Sequence, residues 1–145
     1  MKQRFINIKS VKIMNGTVKL ILKEWFKASE NGDTDTIRDM IANGIDVNAK
    51  DKWGNTALMK TSRNGYLEVV KALLQVGVDI NAKNKWGETA LMKASEKGHL
   101  EADKILLQAG ADVNVKSEYG NTALIWASNG GHLDIVNLLK EYGAK

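Results

Sequence analysis

The chain has no cysteine, no proline, two histidines, and aromatics at only 6% of its 145 residues. Without cysteine there can be no disulfide, thiolate metal site or cysteine nucleophile. That lack also fits a reducing compartment. No apolar run approaches the roughly 18 residues of a membrane helix. Val18–Leu22 is interrupted by Lys19 and is too short for the core of a secretory signal, so a cytoplasmic location is expected. Residues 1–17 contain no acid, only Lys2, Arg4, Lys9 and Lys12. Of 21 basic residues these are four, which leaves 17 against 17 acidic ones. The folded body is therefore neutral, and an anionic partner such as nucleic acid or a membrane surface would have to be met by the leader.

What the chain does have is 43% apolar and 26% charged residues, the balance of a folded domain. It also repeats itself. Asp51-Lys-Trp-Gly-Asn-Thr-Ala-Leu-Met59 returns as Asn84-Lys-Trp-Gly-Glu-Thr-Ala-Leu-Met92 and as Ser117-Glu-Tyr-Gly-Asn-Thr-Ala-Leu-Ile125, at a spacing of 33 residues. Gly65-Tyr-Leu-Glu, Gly98-His-Leu-Glu and Gly131-His-Leu-Asp keep the same register. So does Gly-x-Asp-x-Asn at Gly44, Gly77 and Gly110. Gly32 and Gly44 mark an earlier, degenerate copy. The chain divides into a basic leader (1–17), a degenerate first unit (18–50), and units at 51–83, 84–116 and 117–145.

Each unit reads as helix, turn, helix, loop. Thr56, Thr89 and Thr122 precede apolar runs and suit N-caps, since a hydroxyl accepts an orphan helix N–H. Gly65, Gly98 and Gly131 are placed to end the first helix, and Gly77 and Gly110 the second, where a positive φ is often needed. Gly54, Gly87 and Gly120 fit tight turns. Leu67, Val70, Leu73 and Leu74 form a buried stripe, as do Leu100, Ile105, Leu106 and Leu107. A hairpin this short cannot bury its own apolar face, but a stack of them can. The expected fold is all-α, eight helices in four antiparallel pairs.

The ends differ. Thr34, Thr36 and Asp39 replace Leu67, Val69 and Ala72 of the next unit, as a cap would. Val18, Ile21, Leu22, Trp25 and Phe26 have helical spacing, with Thr17 as N-cap. A second reading makes Asn15-Gly16 a hairpin turn between Val11–Met14 and Thr17–Leu20. The last unit keeps Leu133, Ile135, Val136, Leu138 and Leu139, more apolar than a terminal unit wants. It is expected to fray or to pair, and a self-associating scaffold is one alternative reading.

The period, the Gly-x-Thr-x-Leu start, the Gly-His-Leu-Glu middle and the Gly-Ala-Asp-Val-Asn end at Gly110–Asn114 resemble the ankyrin repeat family, strongly over 51–145 and weakly over 22–50. One departure is consistent. The family's Thr-Pro-Leu-His is Thr-Ala-Leu-Met at Thr56 and Thr89 and Thr-Ala-Leu-Ile at Thr122. Alanine is a good helix former, so the helices stand.

No constellation for catalysis is found, and no enzyme, cofactor or metal is expected. His99 and His132 lie one repeat apart. Packed helices are about 8–10 Å apart, too far for one metal at ~2 Å bonds. Tyr66 takes the same place, which favours a structural role. Glu68, Glu101 and Asp134 recur near helix starts, where acids complement the macrodipole. Gly130-Gly131 has no strand before it and is no phosphate loop.

The resemblance implies binding of another protein through loop tips and the exposed side of the first helices. Carried onto this sequence, the tip ladder is Lys52-Trp53, Lys85-Trp86 and Glu118-Tyr119. The helix ladder is Lys27, Lys60, Lys93 and Trp126, flanked by Asn55, Arg63, Asn64, Glu88, Glu96, Lys97, Asn121 and Asn129. Trp and Tyr are enriched at binding hot spots. The rings could equally stiffen the stack, and the lysines could be a solvated face. The implied partner has apolar anchors and some acidic character, and the chain itself is expected to be a monomer, with a weak dimer as the alternative.

Overall fold

A computed structural model describes residues 15–145. The first pair is α1 (Asn15–Asn31) and α2 (Thr34–Ala42), and the second α3 (Ala57–Asn64) and α4 (Leu67–Gln75). Then come α5 (Ala90–Lys97) with α6 (Leu100–Gln108), and α7 (Ala123–Asn129) with α8 (Leu133–Glu141). The described residues hold eight helices in four helix–turn–helix units and no strand.

Local chemistry sets the helix ends. The hydroxyls of Thr56, Thr89 and Thr122 accept from the N–H of Met59, Met92 and Ile125, each at 3.3 Å. Alanine follows each cap, and the helix forms without proline. Gly65 and Gly98 close α3 and α5 in the left-handed region. α7 departs from the expected register. It ends one residue earlier, with Gly130 as right-handed cap, while Gly131 carries the positive φ. At the end of α4 the cap is Val76. Gly77 follows at φ +77°, so that the N–H groups of Gly77 and Val78 reach back to Leu74 and Leu73.

The start of the chain needs two corrections. α1 opens at Asn15, so Thr17 lies inside it and is not its cap, and Asn15-Gly16 is helical and not a hairpin turn. The helix runs about two turns beyond the register of the other first helices. The leader's Lys2, Arg4, Lys9 and Lys12 lie outside the described residues.

The units stack side by side. α1, α3, α5 and α7 form one row, and α2, α4, α6 and α8 the other. The first row packs more closely than the second. One continuous core runs between the rows, including Trp25, Ile37, Leu58, Val70, Leu73, Leu91, Leu106, Ile135 and Leu139. A buried aliphatic side chain contributes about 1.5–3 kcal/mol. No described helix is long and apolar enough to cross a membrane.

Candidate functional site

The tips are built by one residue each. Asp51 Oδ1 accepts the N–H of Trp53 and of Asn55, both at 2.9 Å. Asn84 Oδ1 does the same for Trp86 and Glu88 at 3.0 Å, and Ser117 Oγ for Tyr119 and Asn121 at 3.3 and 3.2 Å. Side-chain acceptors of this kind mimic a backbone turn. The tips are also tied together. Lys85 N–H donates to the Trp53 carbonyl at 3.0 Å and Glu118 N–H to that of Trp86 at 2.9 Å.

This scaffold turns the aromatic rings outward. Trp53 is 46% exposed, Trp86 38% and Tyr119 77%. Lys52 is exposed too, and its Nζ lies 4.4 Å from the Trp53 ring centroid. Lys85, Arg63 and Lys97 are exposed, as are Lys27 and Glu118.

The helix ladder behaves differently. Lys60 reaches Glu30 and Asp51, both at 2.9 Å, and sits 5.4 Å from the Phe26 ring centroid. Burial pushes its ammonium down, but the two carboxylates outweigh this and raise its pKa above the usual lysine value. For Asp51, burial pushes the carboxyl up. Lys60 and the N–H groups of Asn55 and Trp53 prevail and hold it below the usual value. Lys93 bonds Glu88 at 2.6 Å, and Asn84 Nδ2 donates to the same oxygen at 2.9 Å. Those bonds overcome burial and lower the pKa of Glu88. Two of the lysines in the ladder are thus already neutralised within the chain.

Trp126, the fourth rung, is half-buried and packs against the core. With Met59, Lys60, Arg63, Lys93 and Glu96 it lines a cavity of about 290 Å³. That is at the lower edge of the ~300–1,000 Å³ of typical small-molecule sites, and its walls carry both signs of charge. The structure therefore brings Lys60, Arg63, Lys93 and Trp126 to one hollow. Lys52, Trp53, Lys85, Trp86 and Tyr119 stand on the tips, and Lys97 is not part of the lining.

His99 and His132 face the stack. His99 Nε2–H donates to the carbonyl of Arg63 at 2.9 Å, and His132 Nε2–H to that of Glu96 at 3.1 Å. Their rings lie against Gly65 and Gly98. Among the described residues no group of three His, Asp or Glu side chains could hold a metal ion.

Sequence reasoning passed over Asp103. It occupies the column of Ile37, Val70 and Val136, all buried, and is itself 0% exposed. Ser95 Oγ donates to its Oδ2 at 3.1 Å, while Oδ1 has no partner. Burial pushes its carboxyl up to about 8; Ser95 opposes this, and Asp134 adds to it. The signal was present: a carboxylate standing in an otherwise apolar column.

A family model of ankyrin repeats matches residues 25–117 and 77–145, in three copies. The matches cover well over half of the chain, and the chain belongs to the ankyrin repeat family. Ankyrin repeats are in general protein–protein interaction modules. A search of curated proteins finds no match.

Proposed function

We propose that this chain binds a partner protein through the tips Trp53, Trp86 and Tyr119 and the adjoining first-helix face, as a non-enzymatic module without cofactor, in the cytoplasm. The observation that carries this reading is the row of exposed rings. Large rings at successive tips, fixed by turn hydrogen bonds and left outside the core, are contact groups waiting for an apolar surface. The ~290 Å³ hollow beside Trp126 suits one projecting side chain of the partner.

The charge pattern refines the partner. Lys60 and Lys93 are held by Glu30, Asp51 and Glu88, so they are not free to steer an acidic surface. Lys27, Lys52, Arg63, Lys85 and Lys97 are the exposed cations left for that task. We therefore read the partner as anchored by apolar groups, with acidic character toward these exposed cations. Self-association through the last unit is the second reading, favoured by the 71% exposure of Leu133.

The test is the salt dependence of partner affinity by calorimetry. An apolar anchor loses less than about tenfold between 50 and 200 mM salt, whereas contact with many phosphates loses about 10³–10⁵-fold. A steep loss would overturn the reading in favour of an anionic partner.

A further inference from the structure

The joints between units use the same columns of residues with different charges. At the first joint Lys60 on α3 reaches Glu30 on α1 and Asp51 in its own tip, both at 2.9 Å. One unit on, those columns hold Lys93, Arg63 and Asn84. Arg63 cannot pair with a lysine, and Lys93 turns to Glu88 at 2.6 Å. At the third joint the columns hold Trp126, Glu96 and Ser117. The carboxylate of the first joint has returned, but an indole stands where its lysine would be.

Glu96 is left without a cation. Among the described residues its carboxylate makes no ion pair and no hydrogen bond, and only its backbone carbonyl is used, by His132. Lys93, one turn earlier on α5, is taken by Glu88. Glu96 is nevertheless half-buried and lines the ~290 Å³ hollow together with Trp126. A carboxylate drawn partly out of water gains from a counter-ion. Arg63 is the other charged group of the lining without an ion pair, but its charge is answered from within. Against burial, Glu88 is kept ionised by Asn84, by Lys93 and also by Arg63.

We propose that the hollow receives an arginine side chain of the partner, its guanidinium paired with the Glu96 carboxylate and stacked on the Trp126 ring. A lysine suits the first joint, where two carboxylates converge on one ammonium. The third joint offers one carboxylate and a ring, and a guanidinium can fork onto the first while lying flat on the second. Met59 in the wall accommodates the apolar stem. The arginine is a basic anchor inside a contact that is otherwise apolar and acidic, and so sets specificity.

The proposal rests on the reading of the first-helix face as the partner's. Its test needs no partner, so its failure is separate from a loss of the tip contacts, which is read on Trp86→Ala with the partner itself. The full chain is labelled with ¹⁵N and titrated with N-acetyl-arginine amide. Saturable shifts are expected at the Trp126 indole N–H and at Glu96, with a dissociation constant on the order of 10 mM. N-acetyl-citrulline amide, uncharged and of the same shape, should bind about tenfold more weakly. Glu96→Gln leaves the backbone carbonyl to His132 and should weaken the arginine probe by about the same factor. Trp126→Lys restores the lysine of the earlier units and should abolish its binding. No shifts at about 100 mM probe would overturn the proposal. So would equal binding of the two probes, undiminished binding by Glu96→Gln, or shifts confined to Trp53 and Trp86. Preference for N-acetyl-glutamate amide, with shifts at Arg63, would overturn it in favour of an acidic anchor.

Discussion

The imidazole of His99 covers Gly65 and donates from Nε2 to the carbonyl of Arg63 at 2.9 Å, joining residues 36 apart in sequence. A Cβ on Gly65 would meet Nδ1 of that ring at 2.7 Å, at a backbone φ of +71°. Gly77 has a similar φ of +77° and open space around it. The pair separates two effects. Gly77→Ala should cost about 1–2 kcal/mol, the backbone strain alone. Gly65→Ala should cost a further ~1–3 kcal/mol, because the ring must move. Urea unfolding of both variants measures the difference, and equal losses would show that the ring is not a clamp.

Asp103 gives a pH dependence of unusual sign. Its folded pKa of about 8 lies above the ordinary value of 3.8. The stability linked to this group is thus fully present below ~4 and is lost as pH rises through 8. Asp134 on α8 is the charged group that faces it, and Ser95 on α5 is the polar one. The native chain should lose up to a few kcal/mol between pH 5 and 8. Asp103→Val restores the residue of the neighbouring units. It should be more stable at pH 8 and should flatten the profile. Thermal melts of both proteins across this range decide it, and parallel profiles would refute the assignment.

The Lys60 cluster works in the opposite direction. Asp51 is lowered and Lys60 raised. The Asp51 contribution is present above its ordinary pKa and lost as pH falls through the lowered one. The Lys60 contribution persists at neutral pH and fades only above the ordinary lysine range. Lys60→Met keeps the stem over Phe26 but leaves Asp51 and Glu30 without their cation. It should cost about 1–3 kcal/mol at pH 7, and less in acid, once Asp51 is protonated. A loss independent of pH would mean that packing alone is involved.

What could be read from the sequence was what each residue decides locally. The threonine caps, the glycines at positive φ and the apolar stripes follow from short-range rules, and they lie where the spacing placed them. The start of α1 did not follow, because Asn15-Gly16 is equally good turn chemistry and only the helix that continues from it decides. The ladder lysines were harder. Lys60, read down its own column, resembles a free cation. Its partners Glu30 and Asp51 come from the preceding unit and from the tip, so the pairing exists only in the stack. The glycine beneath each ring was hidden for the same reason. Asp103 was legible in principle, since the column Ile37, Val70, Val136 makes a carboxylate conspicuous.

The most direct measurement is Trp86→Ala, with partner affinity and melting temperature read on the same protein. Trp86 is 38% exposed and its backbone, not its ring, holds the turn. Binding should weaken by about 2 kcal/mol, roughly thirtyfold in affinity. Stability should fall by about 1 kcal/mol or less. Unchanged affinity together with a stability loss of about 3–5 kcal/mol, the cost of removing a core aromatic, would make the tip rings structural struts and contradict the proposed binding surface.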